Sequence, residues 1–143
     1  MEKTGRLLAI DYGLKRTGLA VSDPMRIIAT ALDVVDTATL LDHLSAYIKH
    51  EPVVRFIVGM PRRFNNQESD TALAVRRFMT TLHERFPDIP MEEFDERFTT
   101  VRALDAMLEG GMKKKDRREK GAADKISATL ILQEYMALQK LKG

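Results

Sequence analysis

The chain has 143 residues and a mass of 16.2 kDa, with 44% hydrophobic and 31% charged residues and a formal net charge of +2, a profile that fits one globular domain and excludes a disordered or strongly polyionic protein. With no cysteine it offers neither a disulfide framework nor a thiolate metal site, which suits a reducing cytoplasm. The N-terminal M-E-K-T-G is polar and no apolar run approaches membrane-spanning length, so neither a signal peptide nor a membrane span is expected, and the cytoplasm is the expected location.

In chain order, Leu7 to Ile10 is an apolar run of strand length that ends in a carboxylate, Asp11. Tyr12-Gly13 opens a turn holding Lys15 and Arg16, and Thr17 to Val21 is a second apolar run, so the unit reads as a hairpin with an acid near its axis. Ile27 to Val35 reads as a third strand completing an antiparallel trio. Asp36-Thr37 supplies an N-cap for a helix with Leu40, Leu41, Leu44, Tyr47 and Ile48 on one face, and Pro52 ends it. Val53 to Val58 is a fourth strand, parallel to the first because a helix precedes it. After the polar loop Arg62 to Gln67, Ala72, Val75, Phe78, Met79, Leu82 and Phe86 mark an amphipathic helix stopped by Pro87. Met91 to Phe94 is a short fifth strand running into Asp95-Glu96. Thr99 begins a helix closed by Gly110-Gly111. A basic loop leads to a last helix from about Ala122 to Leu141, where Asp124 stands one turn before Ala128. The order β-β-β-α-β-α-β-α-α predicts a single α/β domain: a mixed five-stranded sheet with helices packed on its faces.

Asp11 alone has two readings. It could end the strand and cap the turn, with Gly13 supplying a positive φ, or it could be a charge kept near the sheet by a divalent cation. Asp95-Glu96 and Asp124 weigh in the balance, because each also ends or heads a segment destined for the sheet or its covering helix. If strands one, four and five run parallel, their C-terminal ends share one edge, where open α/β folds carry ligands. Acids gathered there repel one another unless a hard cation such as Mg²⁺ neutralises them. Paired metals about 3.5–4 Å apart can drive hydrolysis of a phosphodiester without a nucleophilic side chain. The histidines His43, His50 and His83 lie on helices far in sequence from the acids and read as surface residues, and no Ser/His/Asp arrangement suggests itself. Of the acidic pair, Glu96 is the favoured ligand for its longer reach, with Asp95 in reserve as a cap; a charged strand end with a local ion pair is the plainer explanation of D-E-R.

These residues resemble the YqgF/RuvX family, the Holliday-junction-resolvase-like proteins also described as pre-16S rRNA nucleases. The blocks are L-A-I-D-Y-G-L-K-R-T-G-L-A-V-S-D at Leu8 to Asp23, I-V-G-M-P at Ile57 to Pro61, D-E-R-F-T-T at Asp95 to Thr100, and Asp124 within K-G-A-A-D-K-I-S-A. The resemblance implies an RNase H-like fold, a cytoplasmic bacterial protein, and metal-dependent nuclease action in maturation of the 5′ end of 16S rRNA, hence ribosome biogenesis. Its acidic positions carry over onto Asp11, Asp124 and one or both of Asp95 and Glu96, as catalytic residues and ligands of Mg²⁺ or Mn²⁺. Two departures stand out: R-R-F-N-N-Q follows G-M-P where a glycine-containing loop is usual, and two alanines precede Asp124.

From Lys113 to Lys120 the sequence K-K-K-D-R-R-E-K holds six basic and two acidic residues, a solvated loop or a patch that meets phosphates. Lys113, Lys114, Lys115, Arg117, Arg118 and Lys120 are the expected backbone-phosphate contacts; Lys15 and Arg16 are the expected groups on the scissile phosphate, with a solvated turn as the equally simple reading of them, and Arg97 would hold a neighbouring carboxylate or a phosphate. Expected partners are nucleic acid, pre-rRNA first and branched DNA second, and a pre-ribosomal particle. Three alternatives remain. One is a nucleic-acid-binding ribosome-assembly or transcription factor without catalysis. Another is a Holliday-junction resolvase. The last is a nucleotide-binding protein of the actin and Hsp70 type, whose phosphate-holding hairpin looks similar but normally comes as two clasping domains.

Overall fold

The computed structural model describes residues 4–61, 70–95 and 122–141, with 122–125 described by backbone alone. Three strands come first: β1 (Arg6–Asp11), β2 (Arg16–Ser22) and β3 (Ala29–Asp36). A 3-10 turn (Thr37–Thr39) leads into α1 (Leu40–His50), followed by β4 (Val53–Met60), α2 (Asp70–Arg85), β5 (Met91–Asp95) and α3 (Ala122–Leu141). The sheet order is β3-β2-β1-β4-β5. β1 pairs antiparallel with β2 and parallel with β4, and β5 adds parallel to β4. β1 is therefore the central strand, and its last residue is Asp11. The mixed sheet expected from the sequence is present; the helix expected from Thr99 to Gly110 lies outside the described residues.

The strands alternate their side chains between two cores, as the period of two requires. On one face Leu8, Ile10, Leu19, Phe56 and Val58 pack against Leu40 and Leu44 of α1 and Val75 and Leu82 of α2. On the other, Leu7, Ala9, Ala20 and Ile57 meet Ala128, Ile131, Leu132 and Tyr135 of α3. The alanines on both sides of this second interface let α3 approach closely across β1, β2 and β3. Each large aliphatic side chain buried here contributes roughly 1.5–3 kcal/mol. The partly exposed ion pairs Arg6–Glu51 (3.2 Å), Arg76–Glu93 (2.9 Å) and Arg85–Asp42 (3.1 Å) contribute about 0–1 kcal/mol each. Packing decides where the helices sit. A polar contact also ties α3 to the sheet: Arg55 donates to the Tyr135 hydroxyl (2.6 Å) and to Glu92 (3.2 Å). Burial raises the Tyr135 pKa above 10, with the Arg55 hydrogen bond acting the other way.

Three local expectations are corrected. Asp36 makes no side-chain cap; the 3-10 turn intervenes, and neither it nor α1 has a side-chain N-cap bond. Thr37 serves the hairpin instead, its hydroxyl donating to the Gly13 carbonyl (2.7 Å) and its amide to the Lys15 carbonyl (2.9 Å). Gly13 does not supply a positive φ; its role is close approach, since a Cβ there would collide with the Arg16 carbonyl oxygen.

The third correction is that Ile27 and Ile28 are outside β3, despite their β-branched side chains. Asp23 takes their backbone instead: its Oδ1 accepts from both amides at 2.7 Å, its Oδ2 from the Met25 amide at 3.2 Å, and its carbonyl from the Arg26 amide at 2.9 Å. Arg26 sits at φ 58, a left-handed conformation that costs a non-glycine residue roughly 1–2 kcal/mol. The amide of Ile28, with those of Ile27 and Met25, holds the Asp23 carboxyl below its ordinary value of 3.8 against a smaller desolvation effect. A depressed folded-state pKa means the contribution of this carboxylate to loop order is complete above 3.8 and fades as pH falls through the lower folded-state value. In an NMR titration, the Ile27 and Ile28 amide shifts should move together with a midpoint below pH 3.8; a midpoint at or above 3.8 would mean the clamp does not hold in solution.

Candidate nucleic-acid processing site at the rim of the sheet

Asp11 ends β1 on a defined face. Leu7 and Ala9 belong to the α3-side core, so alternation puts Asp11 on that side as well, half-buried. Tyr12 falls on the opposite side, where it stacks on Phe78 of α2 with ring centroids 4.7 Å apart.

The neighbours of Asp11 on its own face are unusual for a central strand. On β2 its partner is Gly18. On β4 the last pair is Ile10 with Val58, so the next position is Gly59. The positions directly beside the carboxylate on both adjacent strands therefore carry no side chain, at the C-terminal end of the sheet where α/β folds hold ligands. Sequence reasoning did not identify Gly18 and Gly59 as part of the site. The signal was present as T-G-L and V-G-M, but only the strand register shows that the two glycines bracket one acid.

The turn after Asp11 is fixed by hydroxyls. The Thr17 and Thr37 Oγ1 atoms are 2.8 Å apart, and the Gly13 amide reaches Thr17 Oγ1 at 3.5 Å. Lys15 is exposed in this turn, and Arg16 opens β2 two residues before Gly18, on the Asp11 face by alternation.

β5 separates its acids by face. Met91 packs toward α1 and α2, and Phe94 packs into the α3-side core. Glu92 bonds Arg55 beside Tyr135 of α3, whereas Glu93 bonds Arg76 of α2 at 2.9 Å. Asp95, paired with Met60, therefore belongs to the α2 side, opposite Asp11. Asp124 lies in the first turn of α3, four residues before the buried Ala128. Glu96, Arg97, Lys113, Lys114, Lys115, Arg117, Arg118 and Lys120 lie outside the described residues, as does the side chain of Asp124.

Among the described residues no three His, Asp or Glu side chains meet to hold a metal ion. The fit of a hard cation rests on Asp11 itself, a half-buried oxygen donor at the end of the central strand with glycine beside it on both neighbouring strands, a chemistry suited to Mg²⁺ or Mn²⁺ with further carboxylates. The histidines stand apart: His50 and His83 are exposed, and His43 lies 4.0 Å from Asp33. A cleft of about 600 Å³ opens between α1 and α2, lined by Tyr12, Thr37, Arg77 and Phe78 among others. It faces away from Asp11 and shares only the turn with it. No helix among the described residues is long and apolar enough to cross a membrane.

Comparison with known proteins places this arrangement in context. A protein of Phocaeicola vulgatus is 53% identical over 135 residues, covering 94% of this chain and 97% of its own length. One from Christiangramia forsetii is 45% identical over 131 residues, covering 92% and 97%. Both carry the name "Putative pre-16S rRNA nuclease". Among solved structures, the Fowlpox virus resolvase bound to Holliday junction DNA superposes with a TM-score of 0.61 at 10% identity, covering 94% of this chain and 98% of that one. RuvC of T. thermophilus with a Holliday junction substrate gives 0.57 at 18% identity, covering 94% and 96%. The shared architecture is the RNase H-like fold expected from the sequence. The profile of the RuvX family, described as a Holliday junction resolvase, matches residues 5–138, and this chain belongs to that family.

Proposed function

We propose that this chain is a single-domain, metal-dependent nuclease that hydrolyses phosphodiester bonds, acting in 5′-end maturation of pre-16S rRNA. The observation that carries the reading is the position of Asp11: a carboxylate ending the central strand, on the face covered by α3, bracketed by Gly18 and Gly59. The names of relatives about half identical to this chain support the same chemistry and the pre-16S rRNA substrate.

Asp11, Glu96 and Asp124 would hold the metal. Glu96 is preferred to Asp95 because Asp95 belongs to the opposite side of β5, and a ligand set shared with Asp11 has to draw on the α3 side. Bound Mg²⁺ or Mn²⁺ would supply an activated water and charge neutralisation at the phosphate. The protein's own part is to hold the Asp11 backbone in place at the rim, through the turn that Thr17 and Thr37 pin. Arg16 and Lys15 lie close enough in sequence to meet the phosphate being cut, with Arg97 a third cation of the same kind. The two glycines put no Cβ directly beside the acid, which favours close approach of a nucleic-acid backbone.

In a digestion assay with Mg²⁺ or Mn²⁺, wild type should shorten an RNA spanning the precursor 5′ end of 16S rRNA. Asp11→Asn, Glu96→Gln and Asp124→Asn should each lose roughly 10²-fold or more in rate while still binding it, and Asp95→Asn should stay within a few-fold of wild type. An inert wild type across metals would leave the binding-only reading; an inert Asp95→Asn with an active Glu96→Gln would reverse the assignment of the pair.

A second reading, cleavage of branched DNA, is favoured by the description of the family. A four-way junction in the same assay separates the two substrates. For binding, Lys113, Lys114, Lys115, Arg117, Arg118 and Lys120 are proposed to contact backbone phosphates, because a lysine-rich loop supplies point charges and no stacking rings. Replacing Lys113, Lys114 and Lys115 by alanine should weaken affinity uniformly across sequences and reduce the slope of log affinity against log salt by about 2–3. An unchanged slope would move the binding surface elsewhere.

A further inference from the structure

The cleft between α1 and α2 takes no part in the metal chemistry, but it begins at the residue next to Asp11. Tyr12 lines it on the face of the sheet opposite the acid, and so does Thr37, whose hydroxyl donates to the Gly13 carbonyl at 2.7 Å. The cleft and the acid-bearing rim therefore share one turn, pinned where the Thr17 and Thr37 hydroxyls meet. Its volume of about 600 Å³ falls within the roughly 300–1,000 Å³ of small-ligand sites.

Two features of the lining bear on what enters. The first is aromatic. Tyr12 is half-buried and rests on Phe78 with 4.7 Å between centroids and 24° between ring planes, so its ring is fixed at the rim while part of it stays accessible. The second is a cation. Arg85 of the cleft is matched by Asp42 at 3.1 Å, whereas the exposed Arg77 guanidinium has no partner among the described residues. Thr81, one helical turn further along α2, bonds only the Arg77 carbonyl, at 3.2 Å.

Continuity with the rim decides the occupant. A phosphodiester held at Asp11 is one link of a strand that continues on both sides. Consecutive side chains at the end of β1 point to opposite faces, so a strand crossing the end of the sheet passes from the Asp11 side to the Tyr12 side within one residue, about 3.3 Å of β-strand. There it meets a ring on which a base can stack and a guanidinium that can hold a phosphate, the pairing by which single-stranded nucleic acid is bound. A peptide would find no strand edge to extend, because the turn, the 3-10 segment and the two helices form the whole lining.

We infer that the cleft between α1 and α2 holds a nucleotide of the substrate strand flanking the scissile phosphate, its base against Tyr12 and its phosphate on Arg77. The inference deepens the nuclease reading and rests on it for the position of the cut, whereas occupancy of the cleft is a matter of binding alone.

The test is an abasic scan in the Asp11→Asn background, so that binding is measured without cutting. A short single-stranded RNA spanning the precursor 5′ end of 16S rRNA, and a set in which each nucleotide in turn lacks its base, are titrated by fluorescence anisotropy. One abasic position, or two neighbouring ones, should weaken binding about fivefold or more. Tyr12→Leu should bring the intact RNA down to that level and abolish the dependence on that position, and Tyr12→Phe, which keeps the ring, should restore the dependence. Arg77→Ala should lower the slope of log affinity against log salt by about 1, whereas Lys49→Ala, at an exposed position of α1 outside the cleft, should leave the slope unchanged. Circular dichroism checks that each variant is folded. A scan with no sensitive position, a sensitive position that survives Tyr12→Leu, or an unchanged slope in Arg77→Ala would overturn the inference. So would adenosine monophosphate shifting the Arg77 and Thr81 amide signals while the RNA leaves them in place, since the cleft would then take a free nucleotide. A wild type inert in digestion but with the expected abasic pattern would remove the nuclease reading and leave the cleft as a nucleic-acid site.

Discussion

A carboxylate at the end of the central strand is the constraint around which the rest is arranged. Asp11 stands on β1, with β2 antiparallel on one side and β4 parallel on the other. Burying such a charge deeply among aliphatic side chains would cost several kcal/mol. The sheet avoids this by ending the strand at the acid and placing glycine beside it on both neighbouring strands. The turn that follows must then hold its shape without a large core of its own, and the Thr17 and Thr37 hydroxyls and the close approach at Gly13 do that.

The two faces divide the remaining tasks. The face covered by α1 and α2 holds the larger core, including Phe56, Phe78 and Leu82, and receives Tyr12 as a plug beside the rim. The face covered by α3 is thinner, built on alanines, and its helix begins near Asp124 and ends over the 23–28 loop. One helix thus spans the distance between the acid-bearing rim and the apolar loop at the other edge. The hairpin that resembles the phosphate-holding element of actin-like proteins belongs here to a chain of the RuvX family, which favours the proposed metal-ligand role of the acid at its head over a nucleotide clasp.

Much of this was legible in the residues. Apolar runs bounded by glycine and proline marked β1, β2 and β4, and the spacing of Ala72, Val75, Phe78 and Leu82 marked α2, because hydrophobic burial enforces period two in strands and 3.6 in helices. The last helix fell at the expected bounds. What escaped was set by hydrogen bonds and register. Ile27 and Ile28 have strand-forming side chains, but the Asp23 carboxylate competes for their amides and wins. Asp36 has the composition of an N-cap, yet its side chain caps nothing because Thr37 is drawn toward Gly13. Gly18 and Gly59 are far apart in number and become neighbours of one acid only once both strand registers are known. The separation of Asp95 from Asp11 likewise depends on the face to which Phe94 packs, which the irregular M-E-E-F sequence did not disclose.

Mn²⁺-induced broadening of backbone amide signals in isotope-labelled protein tests the central claim most directly, because it reports where a divalent cation sits without requiring substrate. Broadening should be centred on Asp11, Gly18 and Gly59, spare Met25 to Ile28 at the opposite edge, and disappear in Asp11→Asn. Broadening centred on the cleft between α1 and α2, or unchanged by Asp11→Asn, would contradict the placement of the metal at this rim.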